Sequence, residues 1–245
     1  MKILVCITHV PDTTSKIAFT DGNTKFDSNG VQYIIGPYDD YALARAVELK
    51  EQTGGTITVL NVGTVETEPT LRKALAIGAD DAIRVNVAPA DSFFVAAQIA
   101  EVAKAESFDL ILMGRESIDF NGGMVHGMVG ELLGIPSISP VMKLDVEGNK
   151  VKMTREIEGG KELLEAELPL VAGCQEPIAE WKIPNMRGIM SARTKPLKVV
   201  EPSAVDGLTV TENYELPPAK GQVKMIDKDN IGELVRLLKE EAKVI

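Results

Sequence analysis

Cysteines, aromatic side chains, basic charge and long apolar runs are all scarce in this sequence. The two cysteines, Cys6 and Cys174, stand far apart and form no C-x-x-C pair. That pattern excludes a disulfide framework and the common zinc motifs. Both lie in apolar stretches and read as buried thiols of a reducing compartment. Aromatics are 4% of residues while hydrophobic residues reach 44%, so the core is built from Ile, Val, Leu and Ala. This is the composition of a parallel sheet buried on both faces. No stretch approaches the roughly 20 apolar residues of a membrane helix, which predicts no stable membrane insertion. Lys and Arg total 26 against 36 Asp and Glu, a net charge of −10. Such a balance argues against a general nucleic-acid binder, because phosphate backbones need clustered cations. A single bound nucleotide needs only a local patch of donors and stays open. Lys2–Ile7 already reads as a strand rather than a basic leader before an apolar segment, and the expectation is a cytoplasmic protein.

What is present alternates. Lys2–Ile7, Thr56–Val62, Ala82–Val87 and Leu110–Met113 are short Val/Ile/Leu-rich runs suited to burial on both faces. Helical patterns lie between them at Asp39–Thr53, Pro69–Ile77 and Ser92–Ala105, and a further one follows at Met124–Leu133. Asp39 or Asp40 is expected to cap the first and Asp91 the third, with Gly54, Gly78 and Gly134 as stops. Strands alternating with helices imply right-handed crossovers and a doubly wound, mostly parallel α/β sheet. Ligands of such sheets bind beyond the carboxyl ends of the strands, where Thr8–Thr14 and Gly114–Val125 fall. From about residue 143 to 168 the pattern becomes a β-hairpin with turns at Gly148-Asn149 and Gly159-Gly160. Residues 1–180 thus read as the α/β domain carrying this hairpin. Residues 181–245 form a Pro-punctuated C-terminal arm that starts at Trp181 and ends in a helix over Asn230–Lys243, with Leu234, Leu237 and Leu238 on one face. An arm of that length without its own core is expected to dock on a partner chain in preference to its own domain.

The loop Gly114-Arg115-Glu116-Ser117-Ile118-Asp119-Phe120-Asn121-Gly122-Gly123 follows a buried strand and opens a helix at Met124 and Val125. Glycines let a backbone approach phosphate closely, and free N–H groups at a helix start favour an anion. Asp119 and Asn121 are candidates to orient the loop or meet a ribose. Plain turn glycines explain the same pattern equally well. It is neither a Walker loop nor a G-x-G-x-x-G fingerprint, since Thr8-His9-Val10-Pro11-Asp12 after the first strand has no glycine. His9 and His126 are the only histidines. With no nucleophile motif or metal spacing beside them, they read as structural or pocket-lining. The residues therefore describe a nucleotide pocket without a reactive centre, a binding or carrier subunit in preference to an independent enzyme.

Several segments, in order along nearly the whole chain, resemble the electron-transfer flavoprotein β family. They are Lys2–Ile7 with Val10-Pro11-Asp12-Thr13, Gly36-Pro37-Tyr38-Asp39, Ala74–Asp80, Gly114-Arg115 with Ile118-Asp119, and Arg155–Gly160 with Leu168–Val171. The last is Gly188-Ile189-Met190 with Ala192-Arg193 and Lys195-Pro196. The resemblance implies an adenine-nucleotide-binding fold, akin to universal stress proteins, with an extended arm. It also implies pairing with an α subunit that carries the redox FAD. The pair would collect electrons from acyl-CoA or other dehydrogenases and pass them toward a quinone-linked acceptor. This subunit would hold AMP in a structural role or, in electron-bifurcating members, a second FAD that oxidises NADH. A stand-alone universal-stress-like module is the further alternative. On these residues the nucleotide would meet Cys6, Gly36, Pro37, Tyr38, Asp39, Gly114, Arg115, Ile118, Asp119, Asn121, Gly122, Gly123, Met124 and Val125. Glu156 would face the flavin side of the interface, and Met186, Ile189 and Met190 would recognise dehydrogenases. Family members usually carry Asn where Gly36 stands. AMP-binding members usually carry Asn-Gln-Thr-Gly where this chain has Gly123-Met124-Val125-His126.

Overall fold

The run Lys2–Cys6 shows how the core is made. Ile3 and Val5 enter one buried cluster and Leu4 and Cys6 another, as the two-residue period of a strand dictates. A computed structural model describes all residues, Met1–Ile245. In chain order the elements are β1 (Lys2–Cys6), β2 (His9–Pro11), β3 (Phe19–Thr20), β4 (Lys25–Phe26), β5 (Tyr33–Ile35), α1 (Pro37–Thr53), β6 (Thr56–Val62), α2 (Glu68–Ile77) and β7 (Asp81–Val85). They continue with α3 (Ser92–Glu106), β8 (Leu110–Gly114), α4 (Val125–Leu133), β9 (Ser137–Glu147), β10 (Lys150–Ile157), β11 (Gly160–Glu167) and β12 (Leu170–Cys174). The last are α5 (Met186–Ala192), β13 (Leu197–Val200) and α6 (Ile231–Glu240).

One nine-stranded sheet runs in the order β11-β10-β9-β12-β8-β1-β6-β7-β13. Neighbours from β9 across to β13 pair in parallel, and β10 and β11 add on antiparallel. Leu43, Ala46, Leu71 and Leu75 of α1 and α2 pack with Ile3, Val5, Ile57 and Val59 on one face. Phe94, Ile99 and Val129 of α3 and α4 pack with Leu4, Cys6, Leu60 and Met113 on the other. This is the doubly wound, mostly parallel α/β fold that the alternation predicts. The crossover from β1 leads to β6 on one side, while that from β8 leads away to β9 on the other. The carboxyl ends of β1 and β8 are therefore the topological switch point, where this fold class opens its ligand crevice.

The hairpin expected over about 143–168 is present and joins the main sheet, because β9 lies parallel to β12 and carries β10 and β11 as its continuation. β13, unforeseen beyond the prolines, completes the other edge by pairing with β7. Its four residues are too short for a periodic signal. Neither Asp39 nor Asp40 caps α1: the N-cap is Gly36, with no side-chain cap and Pro37 in the first turn. Asp91 does cap α3, its carboxylate accepting from Phe94 N–H at 2.8 Å.

The arm divides in two. Its first part lies on its own domain. There Gln98 exchanges hydrogen bonds with the backbone of Ser203 at 2.8 and 3.1 Å, and Asp91 accepts from Leu208 and Thr209 N–H at 2.6 and 2.7 Å. The Tyr214 ring stacks on Phe19 at 4.9 Å. Beyond it, α6 buries Leu237 and leaves Ile231, Leu234 and Val235 exposed.

Candidate functional site

Asp39 organises the switch point. Its carboxylate is 3% exposed. One oxygen accepts from Thr8 N–H at 2.8 Å and Thr8 Oγ1–H at 2.6 Å, and the other accepts from Gly114 N–H at 2.8 Å. The first turn of α1 thereby holds the end of β1 to the end of β8. Two glycines make room for it. A Cβ on Gly36 would stand 2.5 Å from Asp39 Oδ2 and closer still to Thr8 Oγ1, and one on Gly114 would stand 2.6 Å from Asp39 Oδ1 and 2.7 Å from Tyr38 Cβ. Gly36 therefore has no space for the larger residue usual at its position in the resembling family. Burial raises the Asp39 pKa from its ordinary 3.8 to about 6, against the lowering effect of the Thr8 and Gly114 hydrogen bonds. Asp40 is raised to about 6 as well, first by burial, with Lys73 opposing. Burial also pushes the Cys6 thiol far up, reinforced by the Asp39 charge, so Cys6 is an apolar wall of the site and not a nucleophile.

From Gly114 the loop runs outward. Asp119 accepts from Ser117 Oγ–H and from Phe120 N–H at 2.9 Å, which folds the loop on itself. Asn121 has φ +49°, a left-handed conformation that Asn tolerates. Gly122 and Gly123 follow, with 3.6 Å or more around a Cβ built on Gly123. Ile118 is half-buried and Met124 is exposed at 62%. α4 then begins at Val125 with no side-chain cap. Its first N–H groups are left without a side-chain acceptor, an arrangement suited to an anion. A further buried acceptor lies at the end of β6. Asn61 Nδ2 donates to Ile7 O at 2.9 Å while its Oδ1 has no partner.

Arg115, Gln175 and Glu156 form a polar line beside the loop. Arg115 donates to Gln175 Oε1 at 2.8 Å, and Gln175 Nε2 donates to Glu156 Oε2 at 2.6 Å. The guanidinium lies 5.2 Å from the centroid of Tyr38. Thr8 falls in the Thr8–Thr14 stretch expected at the carboxyl end of β1, but its role toward Asp39 does not show in the sequence. The sequence does not single out Gln175, although it directly follows β12, at a position that the carboxyl-end rule marks.

The residues singled out from sequence thus form separate groups. Cys6, Gly36, Pro37, Tyr38, Asp39, Gly114 and Arg115 gather at the switch point, and Ile118 to Val125 lead from it. Glu156 joins only through Gln175. Met186, Ile189 and Met190 stand elsewhere, on α5, exposed at 73%, 40% and 67%. α5 packs on the C-terminal half of α2, where Gly188 closely approaches Ala76 O and Arg72 donates to Ala192 O and Lys195 O at 2.8 and 2.7 Å. Trp181, the lone Trp, is 59% exposed nearby in the chain. His9 stacks on Tyr33 at 4.3 Å and hydrogen-bonds Thr70 at 2.7 Å. Burial lowers the pKa of both His9 and His126. No group of three or more His, Cys, Asp or Glu is placed to hold a metal ion, and no helix is long and apolar enough to cross a membrane.

A family model described as the electron transfer flavoprotein domain matches residues 23–205. Among similar proteins, the electron transfer flavoprotein subunit beta of Bacillus subtilis is 36% identical over 260 residues, covering 100% of both chains. That of Syntrophomonas wolfei is 34% identical, covering 100% of this chain and 98% of the relative. That of Dictyostelium discoideum is 29% identical, covering 96% and 97%.

Proposed function

This chain belongs to the electron transfer flavoprotein family, among its β subunits, and from that premise we propose that it is a cytoplasmic electron-carrier subunit whose crevice holds AMP as a structural ligand. Its α partner carries the FAD that accepts and donates electrons. The heterodimer takes electrons from acyl-CoA or other dehydrogenases and delivers them to a quinone-linked acceptor.

The observation that carries the reading is the convergence on Asp39. The ends of β1 and β8, the start of α1 and the loop into the uncapped α4 meet at one point, with glycines where backbones must come close. These features suit an adenine nucleotide. In this reading the phosphate takes the N–H groups at the start of α4 and around Gly122 and Gly123. Backbone donors there stand in for the amide and hydroxyl side chains usual in AMP-binding relatives. Cys6 and Tyr38 supply apolar surface. Asp39, 3% exposed and engaged by Thr8 and Gly114, shapes the pocket from behind its wall. An FAD in the same place would supply hydride acceptance from NADH, whereas AMP supplies none. The exposed face of α5 at Met186, Ile189 and Met190 receives the dehydrogenase, and the uncovered face of α6 meets the α subunit.

Co-expression with the α partner, heat release of bound nucleotides and chromatography test this directly. One FAD and one AMP per heterodimer is the expected result. Two FAD would make this subunit a redox site and NADH its substrate. No adenine nucleotide beyond a single FAD would overturn the reading of the crevice.

A further inference from the structure

We infer that Gln175 is a positioning residue that couples the loop after β8 to the carboxylate of Glu156, so that ligand occupancy of the loop regulates how firmly Glu156 is held. The inference rests on the nucleotide reading above. Gln175 is 6% exposed and its backbone is fixed at both ends. Its N–H donates to Val141 O at 3.0 Å, and its carbonyl accepts from Ile178 N–H at 3.0 Å. The side-chain amide has one accepting and one donating end, and both are used, toward Arg115 and Glu156. Rotating the amide by half a turn would set its NH2 against a guanidinium and its oxygen against a carboxylate. The two charged neighbours therefore impose a single orientation. Arg115 is itself anchored by its N–H to Cys174 O at 2.9 Å and by its place over Tyr38.

Arg115 and Glu156 are linked only through this amide. An anion in the loop that draws the guanidinium toward itself removes the donor from Gln175 Oε1. The amide is then free to turn, and Glu156 loses its partner. Because Glu156 is exposed on β10, the change appears on the surface that the α subunit is proposed to meet. Coupling of this kind is reciprocal: docking that engages Glu156 must change nucleotide affinity by the same factor.

The test is a double-mutant cycle of Arg115→Gln and Glu156→Gln, made in the native background and again with Gln175→Met. Two measurements read it: the urea midpoint of the full chain, and the AMP Kd of the heterodimer. The expected result is non-additivity of about threefold in Kd, with a matching interaction in urea, both lost in Gln175→Met. Additive effects in the native background, or a coupling that survives Gln175→Met, would overturn the relay. The urea cycle needs no nucleotide. A heterodimer that binds no AMP therefore defeats the proposed function, while the relay is still judged. If Gln175→Met does not fold, Gln175→Glu serves. It keeps an acceptor for Arg115 but opposes Glu156, so Glu156→Gln should then stabilise the chain. Destabilisation in that background would refute the coupling.

Discussion

Replacing Asp39 with Asn removes a titrating group from the crevice while keeping its shape. The Asp39 carboxyl is raised from 3.8 to about 6 in the folded chain. At about 1.4 kcal/mol per pKa unit, holding it charged at neutral pH costs roughly 3 kcal/mol relative to the unfolded chain. The sign follows from proton counting. Between about pH 4 and 6 the folded state binds the proton more tightly than the unfolded one, so this group's contribution is fully present below about pH 4. It is lost as pH rises through about 6. Asn does not titrate, but it brings one acceptor and one NH2 where the carboxylate serves Thr8 on one side and Gly114 on the other. One buried N–H then faces an NH2, at about 1–3 kcal/mol. The two effects nearly cancel at neutral pH, and the variant is markedly weaker only in acid. Asp40, also raised to about 6, and Lys73 beside it are common to both proteins and largely cancel in the comparison. Urea denaturation of the native and Asp39→Asn chains at about pH 4 and pH 7.5 should show a gap that shrinks by roughly 3 kcal/mol toward neutral pH. A gap constant across that range would refute the reasoning that Asp39 is buried as a charged clasp.

Gly114→Ala should destabilise by about 1–3 kcal/mol in the same assay and weaken nucleotide retention, because the added Cβ would stand 2.6 Å from Asp39 Oδ1. Met186→Ala should leave the urea midpoint within about 0.5 kcal/mol, the side chain being 73% exposed, while stopped-flow reduction of the heterodimer by a dehydrogenase slows. An unaltered rate would remove α5 from partner recognition. A chain ending at Leu216 should keep the stability of the body and lose affinity for the α subunit in titration calorimetry. One ending at Pro202 should lose stability as well, since it also breaks the arm's bonds to Gln98 and Asp91.

The sheet and its flanking helices were legible because burial on both faces leaves a plain mark. Thr56–Val62 and Leu170–Cys174 are runs buried almost throughout. Gly54 and Gly134 mark helix ends at positive φ, where glycine is favoured, and Gly78 marks one where a Cβ would stand 2.7 Å from Val47. β13 and α5 were not legible. Each is short, and each is held by partners distant in sequence: β13 by β7, and α5 by Arg72 of α2, which donates to Ala192 O, and by Lys195 just after it, which donates to Leu75 O of α2. The crevice was half legible. A glycine-bearing loop after a strand announces where a ligand goes, but not what the neighbouring side chains do there.

Asp39 makes the distinction concrete. Read in sequence, it is an acidic residue in the first turn of a helix, where the macrodipole and free N–H groups favour a cap. In the folded chain, Thr8 lies 31 residues away and Gly114 lies 75 away, and their donors claim both oxygens. Gln175 is likewise a polar residue after a strand until Arg115 and Glu156 arrive on either side of it. Sequence by itself determined the alternation, the fold class, the family and the rim on which the site lies, because periodicity and motif are local properties of the chain. The tertiary structure alone decided which donor meets which acceptor on that rim, because hydrogen bonds depend on distances that only the closed sheet creates.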